Sequence, residues 1–293
     1  MTSGLLAFPD FPGYVFVTMH KVPLVTYILS TFALTVAFSC RPAEEKRPSA
    51  PRPITLRVAA ASDLQPWLGV ALESWGKSQT PAIQVETIYG SSHQLATQIR
   101  SGAPVDLFLS ADRAAVDSLA EQHLIEPDTV RPYAIGRLAI LSRKPLLIKN
   151  IRDLKEAEFR HLAIASPETA PYGKAAKSAL VASGLWDVLE SKIVITASVR
   201  LAFQNVSDGN AEAGIVSLGH ARSAAAGNPD LVVFEIPQNS YPPIVQYLGV
   251  VRSKGNSGSA PHADIDRTVR ALAEWITGQE CAELFRSHDF RKP

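Results

Sequence analysis

From Ile54 onward, short apolar runs alternate with longer segments whose apolar residues recur at helical spacing. That alternation leaves few architectures open. Strands are read at 55–60, 83–89, 107–110, 138–142, 162–165, 193–196, 213–217, 232–236 and 244–251. Helical periodicity predicts helices over 64–78, 93–101, 114–122, 151–155, 172–183, 199–208 and 263–277, with a final turn near 279–286. Strand followed by helix, many times over, means an α/β fold: a mixed, mostly parallel sheet flanked by helices on both faces. No internal repeat of fixed period is present.

The 293 residues leave room for two lobes, since domains run to about 100–200 residues each. Lys plus Arg number 29 against 28 Asp plus Glu, a net charge of +1, and no basic cluster occurs. A protein that works by neutralising nucleic-acid phosphates is therefore not expected. Enzyme signatures are missing too. The seven His are scattered with no His-Glu-x-x-His, which gives zinc chemistry no support. No Gly-x-Ser-x-Gly elbow is present. His93 follows Ser92 directly, but adjacent helical residues point apart, so His93 is a poor candidate for its base. Neither an enzyme nor a bound cofactor is expected.

The first 53 residues read differently. An apolar stretch over 22–38 follows His20 and Lys21 and closes on Ala37-Phe38-Ser39-Cys40. A basic start, an apolar core and small residues at a processing point make an export signal over 1–39. Met19 sits where such a signal would begin, so 1–18 can be an over-extended start. The Ala37–Cys40 stretch resembles a bacterial lipoprotein cleavage box, with Ala37 where such boxes usually carry Leu. Cys40 would then be acylated and become the first mature residue; an uncleaved anchor and soluble secretion are the alternatives. Residues 40–53 are Pro-rich and charged, an extended tether. Cys40 and Cys281 are too few for a disulfide framework.

In sheets of this kind ligands gather where strand carboxyl ends lead into helices. After the first strand comes Ala61-Ser62-Asp63-Leu64-Gln65-Pro66. Ser62 and Asp63 either cap the following helix or present donors to a ligand, and Asp63 is expected to cap. After the second strand comes Gly90-Ser91-Ser92. Gly90 admits close backbone approach, and Ser91 and Ser92 add hydroxyls to free N–H groups, a combination suited to a small anion. Junctions at 166–173 and 196–200 repeat the pattern.

These segments resemble the periplasmic molybdate-binding proteins of ATP-driven importers, over about 54–293. The resemblance is carried by Ala59-Ala60-Ala61-Ser62, by Gly90-Ser91-Ser92-His93-Gln94-Leu95, and most specifically by the run from Gly102-Ala103-Pro104-Val105-Asp106 through Leu107-Phe108-Leu109-Ser110-Ala111-Asp112. Pro171-Tyr172-Gly173-Lys174, Gly214-Ile215-Val216 and Tyr241-Pro242 continue it. It implies a two-lobed periplasmic-binding-protein fold with a ligand cleft between lobes, each lobe a mixed sheet flanked by helices. The lobes would be 54–133 plus 241–293 and 134–240, hinged at 132–135 and 237–241.

The implied function is capture of molybdate or tungstate and delivery to an ABC transporter permease, by a monomer in the cell envelope. A binding protein of the same fold for sulfate, phosphate or an organic acid is the alternative. Position by position, Ser62 and Ser92 match hydroxyl ligands, and Val199 matches a backbone N–H ligand. Ser217 stands where many members carry a tyrosine. The expectation is that Tyr172 supplies that phenol from another wall, leaving Ser217, Asp63 and Ser91 in supporting positions. Such a site is built of donors alone, and helix N-termini stand in for a cationic side chain.

Overall fold

The computed structural model describes residues 54–252 and 260–293. The expected export signal, the acylation site at Cys40 and the tether up to 53 lie outside the described residues. The chain begins with β1 (Thr55–Ala61), α1 (Leu68–Ser78), β2 (Gln84–Gly90), α2 (Ser92–Arg100), β3 (Leu107–Ser110), α3 (Arg113–Ala120) and β4 (Arg131–Gly136). It continues with β5 (Leu138–Arg143), β6 (Leu162–Ala165), α4 (Pro171–Ala182), α5 (Trp186–Leu189), β7 (Ile193–Thr196), α6 (Val199–Ser207), β8 (Ala213–Ser217), α7 (Leu218–Gly227) and β9 (Leu231–Glu235). It closes with β10 (Ile244–Val250), α8 (Ala260–Thr277) and α9 (Gln279–Ser287).

Two five-stranded sheets result, ordered β2-β1-β3-β10-β4 and β7-β6-β8-β5-β9. Each has three parallel strands on one side and an antiparallel strand, β10 or β5, as the fourth. The two lobes are thus the same plan built twice. The chain leaves the first sheet after Gly136, enters the second at Leu138, and returns at Ile244, where the sequence expectation put the crossings at 133/134 and 240/241.

The central strands β3, β6 and β8 are buried along their whole length. Strands covered by helices on both faces need such continuous apolar runs. One apolar core fills the second lobe around Leu138–Leu141, Leu162–Ala165 and Ala175–Leu180. The first lobe has two, one on each face of its sheet. Cys281, a free thiol, is fully buried in one of them beside Trp67 and Phe285.

Three local expectations are corrected. The helix expected over 64–78 is a single 3-10 turn, Ser62–Leu64, followed after Pro66 by α1. Pro lacks the N–H that would join the two. The segment 151–155 forms one 3-10 turn, Ile151–Leu154, closed by an Asn150 capping box. Two helices, α5 and α7, stand where the sequence pattern predicts none. The Ala-rich run 223–226 in α7 has weak periodicity because its helix lies against the sheet edge and buries only Leu218, His220 and Ala221.

Among the described residues no helix is long and apolar enough to cross a membrane.

Candidate anion-binding site

Corners from both sheets meet in one narrow crevice. Ser62 and Asp63 follow β1, Ser91 and Ser92 follow β2, Pro171 and Tyr172 open α4, and Val199 opens α6; all line it, together with Gly90, Ala111 and Ala170. No Lys or Arg is among its walls. Its free volume is about 10 Å³, close to the ~10–15 Å³ that one water requires. The walls therefore stand close together. A wider groove of about 970 Å³ lies between Arg143 and Glu212, but it is lined by the second lobe alone.

The helix starts are left open towards the crevice. The first N–H groups of a helix have no intrahelical acceptor. Ala170 precedes α4 and has no side chain to cap it, and Pro171 takes the first position. Gly173 lets this turn press onto the end of β6, since a Cβ there would collide with the carbonyl oxygens of Ala165 and Ser166. Ser198 caps α6 by accepting from the Leu201 N–H at 3.3 Å, which leaves the Val199 N–H uncapped. Ser91 holds the cap position of α2, yet its Oγ is buried without any partner. Ser92 Oγ accepts the Ala111 N–H at 2.8 Å, so its own proton remains for a ligand.

Asp63 departs from expectation. It caps no helix: Ala61 occupies that position and makes no side-chain bond. Asp63 is instead 2% exposed, and its Oδ2 accepts hydrogen bonds from Tyr172 Oη at 2.9 Å and from Gln246 Nε2. Its Oδ1 has no partner. Burial raises its pKa to about 6, against the lowering pull of the bonds from Gln246 and Tyr172. Tyr172 lies in the second-lobe segment and Asp63 and Gln246 in the first, so this cluster ties the lobes at the crevice floor. The Tyr172 phenol, expected at the anion, donates its hydrogen bond to Asp63 instead, and the Tyr172 backbone N–H, in the first turn of α4, has no intrahelical partner. Burial and the Asp63 charge push the phenol well above its usual pKa.

Ser217 does not line the crevice. It is the N-cap of α7, with its Oγ 2.6 Å from His220 Nδ1. Burial pushes His220 down to about 3, so that ring is neutral and packs on Phe203. The sequence pattern predicts no helix after Ser217, so its capping role is decided by α7. His93 turns away from Ser92 and meets the Asp112 carboxylate at 2.9 Å. That bond, more than any other influence, raises the pKa of the ring.

Two residues of the floor escaped sequence reasoning. Gly136 ends β4 where a Cβ would lie 2.9 Å from Tyr172 Cζ and nearer still to Oη. Gln246 is fully buried within the apolar run of β10. The available signal was that polar interruption, since a buried amide needs partners.

The family of bacterial extracellular solute-binding proteins matches this chain over residues 56–291. The molybdate-binding protein ModA of Azotobacter vinelandii is 32% identical over 210 residues, 71% of this chain and 79% of that protein. The Rhodobacter capsulatus protein of the same name is 29% identical over 202 residues, 69% and 75% of the two chains. The solved structure of the Azotobacter vinelandii periplasmic molybdate-binding protein superposes with a TM-score of 0.70 at 30% identity, covering 81% of this chain and 99% of that one. By matched length, sequence identity and fold, the chain belongs to the bacterial extracellular solute-binding proteins.

Proposed function

We propose that this protein captures molybdate outside the cytoplasm and delivers it to the permease of an ABC transporter. The observation that carries the reading is the meeting of serine hydroxyls from the first lobe with the helix starts at Tyr172 and Val199 from the second, in a crevice walled by no cation. The names of its relatives point the same way. Ser62, Ser92, the Val199 N–H and the Tyr172 N–H are the proposed donors, with Ser91 beside them.

A dianion entering this crevice loses its water and needs a donor at every oxygen. Hydrogen bonds to a charged partner contribute about 1.5–3 kcal/mol each, so several together reach micromolar affinity or better after the cost of ordering. Helix N-termini add up to roughly 2 kcal/mol when partly buried. Tungstate has the same charge and shape, so the same donors serve it. Lobe separation about the connections at Arg137 and 236–243 admits the anion, and closure surrounds it. Acylation at Cys40, suggested by the Ala37-Phe38-Ser39-Cys40 box, anchors the monomer to the envelope membrane.

Thermal melting with molybdate, tungstate, sulfate and phosphate tests the ligand. At about a thousand times its dissociation constant a ligand adds roughly 4 kcal/mol, or about 8–16 °C in Tm for a chain this size. A rise with phosphate or sulfate and none with molybdate or tungstate refutes the assignment.

A further inference from the structure

Asp63 is out of place in a crevice made of donors. A carboxylate there faces the ligand with acceptors, and two negative groups in one dry cavity do not both keep their charge. The arrangement of its oxygens suggests how the conflict is resolved. Oδ2 accepts from both side-chain donors, the Tyr172 hydroxyl and the Gln246 amide, as the carbonyl oxygen of a neutral acid would, while the residue's own backbone N–H adds a weaker pull on the carboxyl. Oδ1 is buried, has no partner, and belongs to a side chain that lines the crevice.

We propose that Asp63 is a ligand of the bound anion and that the complex holds one proton between Asp63 Oδ1 and an anion oxygen. This rests on the anion-binding function proposed above. The proton comes from solvent on binding and returns there on release, with no covalent change. The surroundings favour this site. Tyr172 of α4 and Tyr133 of β4 are the titratable groups that sense the Asp63 charge, and both remain neutral phenols. Gln246 faces it from β10. Helix α6, which packs against the Ser62–Leu64 turn, carries Arg200 beside Val199, but no Lys or Arg pairs with Asp63. Burial already holds the carboxyl near pKa 6 before any anion arrives, and a dianion alongside raises it further.

The sign follows. Above about pH 6 the carboxyl of the unliganded protein is ionised, so binding must take up a proton, and apparent affinity falls about tenfold per pH unit. Below that the proton is already in place and affinity levels off. A permanent amide at this position supplies the donor at any pH: its oxygen takes Tyr172 and Gln246, and its NH₂ replaces the protonated Oδ1.

Calorimetry of sodium molybdate binding to the full chain, from pH 6 to 8.5 and in buffers of different ionisation enthalpy, tests this. The expected result is uptake of close to one proton per anion at pH 8. Asp63→Asn should bind without proton uptake, with affinity independent of pH and roughly 100-fold tighter than the wild type at pH 8. Wild-type binding that takes up no proton and does not vary with pH overturns the role of Asp63 and leaves the proposed function standing. A folded Asp63→Asn protein that has lost binding at every pH also overturns it, because the carboxylate would then be needed as an acceptor. Failure of the wild type to bind molybdate or tungstate at any pH overturns the proposed function itself.

Discussion

Gly136→Ala isolates the packing on which the crevice floor depends. The added methyl lies 2.9 Å from Tyr172 Cζ and closer to Oη, well inside the ~3.5–4.0 Å of a relaxed carbon contact. Gly136 sits in a strand paired to Ile244 on β10, so backbone retreat would disturb the ladder and the Tyr172 ring must move. Overpacking of this kind costs about 1–3 kcal/mol. Losing the bond from Tyr172 to a carboxylate adds about 1.5–3 kcal/mol. The sum, roughly 2.5–6 kcal/mol, lies below most of the ~5–15 kcal/mol range of typical folds, so a folded but weakened protein is expected, with Tm lowered by about 5–24 °C. Urea denaturation of a double-mutant cycle with Tyr172→Phe is the assay. Removing the hydroxyl takes away both the nearest clashing atom and the bond at risk, so Gly136→Ala should cost at least about 1 kcal/mol less in the Tyr172→Phe background. Equal costs in both backgrounds would refute the reasoning.

Three further outcomes follow from the same geometry. Asp63 has a folded pKa of about 6 against an ordinary 3.8, so the native state holds its proton more tightly; its contribution to the stability of the unliganded protein should fall by roughly 3 kcal/mol as pH rises from about 3 to 7, and that part of the slope should be absent in Asp63→Asn urea titrations. Ser92→Ala removes a hydroxyl donor and strands the buried Ala111 N–H, so molybdate affinity and apo stability should both drop, by about 1–3 kcal/mol each; a variant with undiminished affinity counts against Ser92 as a ligand. Ser217→Ala removes the cap of α7 and should lower stability by about 0.5–2 kcal/mol with affinity unchanged, and a tenfold weaker dissociation constant would place Ser217 at the anion after all.

The sequence by itself determined the α/β class and the serine-bearing corners. Fully buried strands such as β3 must be continuous apolar runs, and helices covering a sheet must show an apolar stripe, so both are written locally. Ser62, Ser91 and Ser92 were legible because small hydroxyl residues after a strand open a helix whose first N–H groups are free. Tertiary structure alone decided what Asp63 does. Local grammar offers it a helix to cap, but burial brings Tyr172 from 109 residues away and Gln246 from 183 away onto one oxygen, and desolvation sets its charge. Gly136 likewise looks like any strand-ending glycine until the Tyr172 ring crosses from the other lobe. A carboxylate's protonation and a phenol's donor direction depend on which distant groups exclude water around them, and no spacing along the chain encodes that.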